Sequence, residues 1–150
     1  PERPLLPEDP LQRAEALRLF DWTMNNFHEE ATKRIVFEKG AQAQTGSMIR
    51  RPPNMETVRN GRAALKAALP PLGALAERNG FLACRDMTLA DLSLAAHLSA
   101  LDYFGEVPWT EFQPLLEWYL RIKSRLAFRT LLGDRVPGQP PVAHYAELDF

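Results

Sequence analysis

The chain has 150 residues, 45% hydrophobic and 25% charged, enough for one domain with its own core. Its formal net charge of −1 gives no bulk attraction to nucleic acid or to an anionic membrane, and its single cysteine, Cys84, excludes an internal disulfide and fits a reducing compartment. No apolar run reaches the length of a membrane span, and no basic-then-apolar start reads as a signal peptide.

In chain order, Pro1, Pro4 and Pro7 make the opening extended and stiff, as in a linker, and a start at Pro1 fits a piece of a longer protein. Asp9-Pro10-Leu11-Gln12 is a helix start: Asp9 can cap, Pro10 suits the first helical position, and Gln12 completes a capping box. Leu17, Phe20, Met24, Phe27, Ala31 and Ile35 recur at spacings of three and four, which predicts an amphipathic helix to about Lys39, closed by Gly40. Ala41 to Pro53 reads as a loop. Asn54 can cap the next helix, whose stripe is Val58, Leu65, Leu69, Leu72 and Ala76; Pro70-Pro71 predicts a kink or two helices end to end.

The most evenly apolar stretch comes next. Thr88 and Asp91 have the spacing of a capping box, Met87 and Leu92 that of a hydrophobic staple, and Leu89 to Leu101 is apolar or small on every face. Such a helix is buried, so residues 88–104 should form a central helix with others around it. Pro114 opens another helix through Leu115, Leu116, Trp118, Tyr119 and Ile122, with Arg121, Lys123 and Arg125 where cations suit the dipole. Phe128, Leu131 and Leu132 form a short last helix ended by Gly133. No alternating β-branched run appears, and the fold class is all-α, a bundle of about five to six helices.

Chemistry is sparse. There is no glycine-rich phosphate loop, paired-cysteine motif or His-Glu-x-x-His, and no catalytic or metal-binding residue is assigned. His28, His97 and His144 lack ligand spacing; His97 reads as a hydrogen-bonded core histidine. Cys84 reads as a small side chain in a turn and Glu29-Glu30 as a solvated face. The tail from Val136 is rich in proline and glycine and ends in His144, Tyr145, Glu147, Leu148, Asp149 and Phe150. Those residues are either a strap packed back on the helices or a partner-binding peptide with aromatic anchors; residue chemistry alone leaves both open.

Phe81-Leu82-Ala83 followed by Met87-Thr88-Leu89-Ala90-Asp91-Leu92 resembles the helix-initiation segment in the C-terminal domain of glutathione S-transferases. Phe112 to Tyr119 and Lys123 to Phe128 resemble the next two helices of that domain, and Leu5 to Pro10 the linker leaving the thioredoxin-like domain. Cys84 and Leu126 depart from the family, which usually has Gly and Pro there. The resemblance implies a helical C-terminal bundle over residues 9–135, a linker at 1–8 from a thioredoxin-like N-terminal domain in cis, and a tail at 136–150. It implies that glutathione, if bound, is held by that other domain, so this chain carries no cofactor. It makes Trp22 and Phe27 candidates for the wall of a hydrophobic co-substrate site. Leu101 to Trp109 and the tail resemble more narrowly the transferase-like division proteins of alphaproteobacteria, which implies a cytoplasmic, non-enzymatic homodimer with FtsZ and other division proteins as partners, binding through the tail. The alternative is a glutathione transferase that conjugates a hydrophobic electrophile.

Overall fold

A computed structural model describes residues 4–40 and 52–148. Asp9 caps the first helix, its carboxylate accepting from the Gln12 N–H at 2.9 Å, with Pro10 in the first turn. The helix runs as α1 (Pro10–Trp22), a wider π-helical stretch (Thr23–Thr32) and α2 (Lys33–Lys39). The Thr23 hydroxyl donates to the Leu19 carbonyl at 2.9 Å, and the Asn25 amide to the Asp21 carbonyl at 3.1 Å. Both side chains reach carbonyls four residues back, and the Leu19 carbonyl also keeps its backbone bond from the Thr23 N–H. The loop expected over 41–53 lies, except for Pro52 and Pro53, outside the described residues.

Asn54 caps α3 (Met55–Asn79), accepting from Glu56 and Thr57. This helix continues through Pro70 and Pro71 as one 25-residue element, so the two-helix alternative does not hold. Both prolines and the preceding Lys66 and Ala67 face solvent, where water can serve the carbonyls the prolines leave free. Leu65, Leu69, Leu72, Gly73 and Ala76 stay buried on the other side and hold the helix on its neighbours. Gly80, at φ 91°, ends it.

The central helix is α4 (Leu89–Tyr103), buried along most of its surface; Ala96 is its one exposed residue. Its start is tied to the linker, the Leu89 N–H donating to the Leu5 carbonyl at 2.9 Å. A 3₁₀ turn (Trp109–Glu111), α5 (Gln113–Lys123) and the short α6 (Leu126–Arg129) complete the helices of the bundle. α1 packs on α4, while α3 packs on the π stretch, α2 and α5. The bundle is all-α, and among the described residues the nearest thing to a strand is one isolated bridge, Val136 to Gln139.

Gly61 sets how closely α3 approaches the first helix. A Cβ there would lie 2.8 Å from Ile35 Cγ1, 3.1 Å from Arg34 Cβ and 3.3 Å from the Ala31 carbonyl oxygen. Gly61→Ala gains helix propensity but must push a backbone carbonyl, so a net loss of about 1 kcal/mol is expected in urea unfolding. A stabilised variant would show that the helices yield freely there.

Candidate functional site

Asp91 is a structural node. It has no exposed surface, and its carboxylate accepts four hydrogen bonds: from Thr88 N–H at 2.8 Å, the Thr88 hydroxyl at 3.0 Å, Leu82 N–H at 2.9 Å and Trp118 Nε1 at 2.8 Å. The capping box is present, but Asp91 does more than cap. It joins the 81–86 connection, the start of α4 and the middle of α5.

The C-terminal segment forms a second polar node. Residues 136–148 lie back across the C-terminal half of α4. The Val142 N–H donates to the Tyr103 carbonyl at 3.1 Å, and the Tyr103 hydroxyl donates to the Gln139 carbonyl at 2.5 Å and accepts from Val136 N–H at 2.9 Å. Tyr145 is buried, edge-on to the Tyr103 ring at 5.1 Å, its hydroxyl 3.0 Å from that of Ser99. His144 Nε2 meets Asp102 Oδ1 at 2.9 Å. Asp102 Oδ1 also accepts from Trp109 Nε1 at 2.7 Å, and Trp109 stacks on Tyr119 with ring centres 4.6 Å apart. Ser99, Asp102 and Tyr103 share one face of α4 because residues three and four apart are neighbours on a helix.

Lys123 belongs to this node. The position suggested a cation soothing the end of α5, yet the side chain has no exposed surface. Its ammonium lies 3.5 Å from the His144 carbonyl oxygen. Burial lowers its pKa, and the charges of Asp102 and Glu147 pull it back up. Burial, then the Asp102 charge, push the Tyr119 phenol well above its ordinary value. A cavity of about 230 Å³ opens beside the segment, lined by Val36, Ala100, Phe104, Leu131, Arg135 and Tyr145 among others.

The other expected site residues are scattered. Phe27 is 2% exposed and packs in the core between Trp22, at 5.5 Å, and His97, at 6.1 Å, so Trp22 is the more accessible of the two wall candidates. Glu147 is exposed, Leu148 packs against the core from its edge, and Asp149 and Phe150 lie outside the described residues. Cys84 is half-buried in its turn, its thiol 3.3 Å from the Asp86 carbonyl. Glu29 is exposed and paired with Lys33 at 2.8 Å. Among the described residues no cluster of three or more metal-ligating side chains occurs, and no helix is long and apolar enough to cross a membrane.

His97 Nδ1 lies 3.0 Å from the Thr32 hydroxyl, its ring 5.5 Å from that of His28. Burial first, and the His28 charge second, lower its pKa from the ordinary 6.5. The unfolded chain therefore takes up this proton more readily than the native one. The contribution to stability is complete above pH 6.5 and is lost as the pH falls through the lowered native value. His97→Gln should flatten the fall in Tm between about pH 7 and about pH 5. A parallel pH profile in the two proteins would remove His97 from that account.

The arrangement is that of a known class of protein domain. The chain has the all-helical fold of the C-terminal domain of glutathione S-transferases: it superposes with TM-scores of 0.91 and 0.92 on the glutathione S-transferases of Sinorhizobium meliloti and Rhodospirillum rubrum, at 39% and 37% identity over 97% and 100% of this chain. It is also a close homologue of FtsZ-localized protein A of Caulobacter vibrioides, 44% identical over 149 residues, or 99% of this chain. The solved structure of FzlA from C. crescentus superposes with a TM-score of 0.92 at 44% identity. The chain spans 64% of the length of FtsZ-localized protein A, and 64% and 66% of the two transferases. No protein-family model matches it.

Proposed function

We propose that this chain is the helical domain of a non-enzymatic, dimeric, cytoplasmic regulator of bacterial cell division that associates with FtsZ. The observation that carries the reading is the 44% identity to FtsZ-localized protein A, which extends over 99% of this chain. In this reading residues 1–8 arrive from a thioredoxin-like domain and meet the start of α4, where the Leu5 carbonyl accepts from Leu89 N–H. His144 to Phe150 are the partner-binding segment, and the exposure of Glu147 is consistent with that role.

A second reading is a genuine glutathione transferase, with thiol activation in the upstream domain and Trp22 on the co-substrate wall. It is favoured by the two relatives that carry the transferase name, at 39% and 37% identity. Calorimetry on the full-length protein separates the two. The division reading predicts no heat of binding when glutathione is titrated at millimolar concentration. A saturable isotherm together with conjugating activity would shift the assignment to the enzyme.

A further inference from the structure

We propose that residues 136–148 are a detachable strap, closed over a buried carboxylate and a buried ammonium whose hydration favours its release. The inference stands apart from the identity of any partner. It begins with what the strap covers. Asp102 and Lys123 have no exposed surface, and the strap is what lies over them: His144 bonds Asp102 through its ring, and its carbonyl faces Lys123 at 3.5 Å. Asp102 Oδ2 has no hydrogen-bond partner among the described residues, and neither has Oε1 of Gln139 in the strap itself. A buried charge loses most of its hydration, and a buried acceptor left unbonded loses it without return. Water regains these groups when the strap lifts.

The strap is also built to move as a piece. It contains no helix except one 3₁₀ turn, Ala143–Ala146. It starts at a tight turn bridging Val136 and Gln139, with Gly138 at φ 75°, and Pro140-Pro141 stiffens the chain beyond that turn. Tyr145 is its one fully buried apolar residue, with Val136, Val142 and Leu148 packed only at the edge of the core, and the Tyr145 ring ends in a hydroxyl on Ser99. Closed, the segment buries Tyr145 and half-buries His144. Open, it presents both beside Glu147 and uncovers Ser99, Asp102 and Tyr103 on α4. One segment thus serves as strap in one state and recognition peptide in the other.

Hydrogen exchange read by mass spectrometry on the full-length protein tests this. In the wild type the Val142 amide, which bonds across to Tyr103, should exchange through a local opening at least 10-fold faster than the core amides of α4 and α5. In Asp102→Asn with Lys123→Met, both charges are gone while an acceptor for Trp109 and His144 remains. The Val142 amide should then exchange about 10-fold more slowly than in the wild type. A wild-type strap that exchanges only with the core overturns the proposal, and that comparison needs no variant. So does a folded double variant whose strap exchanges as fast as the wild type or faster, because the charges would then be holding it down.

Discussion

Asp91→Ala should lower the unfolding free energy by about 4 kcal/mol or more, near the upper end for a single substitution. The size reflects the groups that are stranded. Leu82 N–H, Thr88 N–H and Trp118 Nε1–H all donate to this one carboxylate in a site with no solvent access. Each buried donor left unbonded costs about 1–3 kcal/mol, well beyond the loss of a cap alone, which is about 1 kcal/mol. Asp91→Asn is the control. It retains one acceptor for Leu82 and Trp118 but points an amide at Thr88, so about half the loss is expected, on the order of 2 kcal/mol. Urea midpoints, with the slope unchanged, are the measurement. A loss of only about 1 kcal/mol in Asp91→Ala would mean that water enters and serves these donors.

Glu106→Ala should cost about 2–3 kcal/mol through the loss of a charged clamp between three elements. The Glu106 side chain is 5% exposed, bonds Arg62 Nε at 2.6 Å and also bonds Lys39. Lys39 ends α2, Arg62 lies in α3, and Glu106 comes just after α4, so one carboxylate joins all three. Burial alone would raise its pKa, but the bonds from Arg62 and Lys39 outweigh it and hold the group below its ordinary 4.5. A lowered native pKa means that the clamp acts fully above pH 4.5 and is lost as the pH falls through the native value. Glu106→Gln should therefore match the wild type more closely in acid than at neutral pH. The expected loss is smaller than at Asp91 because Lys39 and Arg62 remain partly exposed and can be hydrated. Equal stability of Glu106→Ala and wild type at neutral pH would place this trio among surface ion pairs of no consequence.

Local signals were the legible ones. The Asp9, Asn54 and Thr88 starts stand where their sequence patterns put them, because a cap is decided by residues within one turn. The all-α class was equally plain from periodicity. Residues that act through distant partners could not be read so directly. Nothing near Asp91 in sequence announces Trp118, and nothing near Lys123 distinguishes it from any cation at a helix end, because the strap that covers it comes later in the chain. The polar face of Ser99, Asp102 and Tyr103 was missed in a helix read as apolar all round, because its counterpart lies some forty residues on, in a tail without periodicity. The π stretch was hidden for a different reason: Met24, Phe27 and Ala31 keep the three-and-four spacing of an ordinary helix across it. The proline pair left open a break into two helices that does not occur, because five buried residues on the other side keep α3 continuous.

Association with FtsZ is tested most directly by co-sedimentation. The full-length protein is mixed with FtsZ from the same organism, with and without GTP, and the polymers are pelleted. The account predicts that the protein enters the pellet with FtsZ in GTP and stays in the supernatant without it. Recovery in the supernatant under both conditions, from a protein that melts cooperatively, would contradict the division reading.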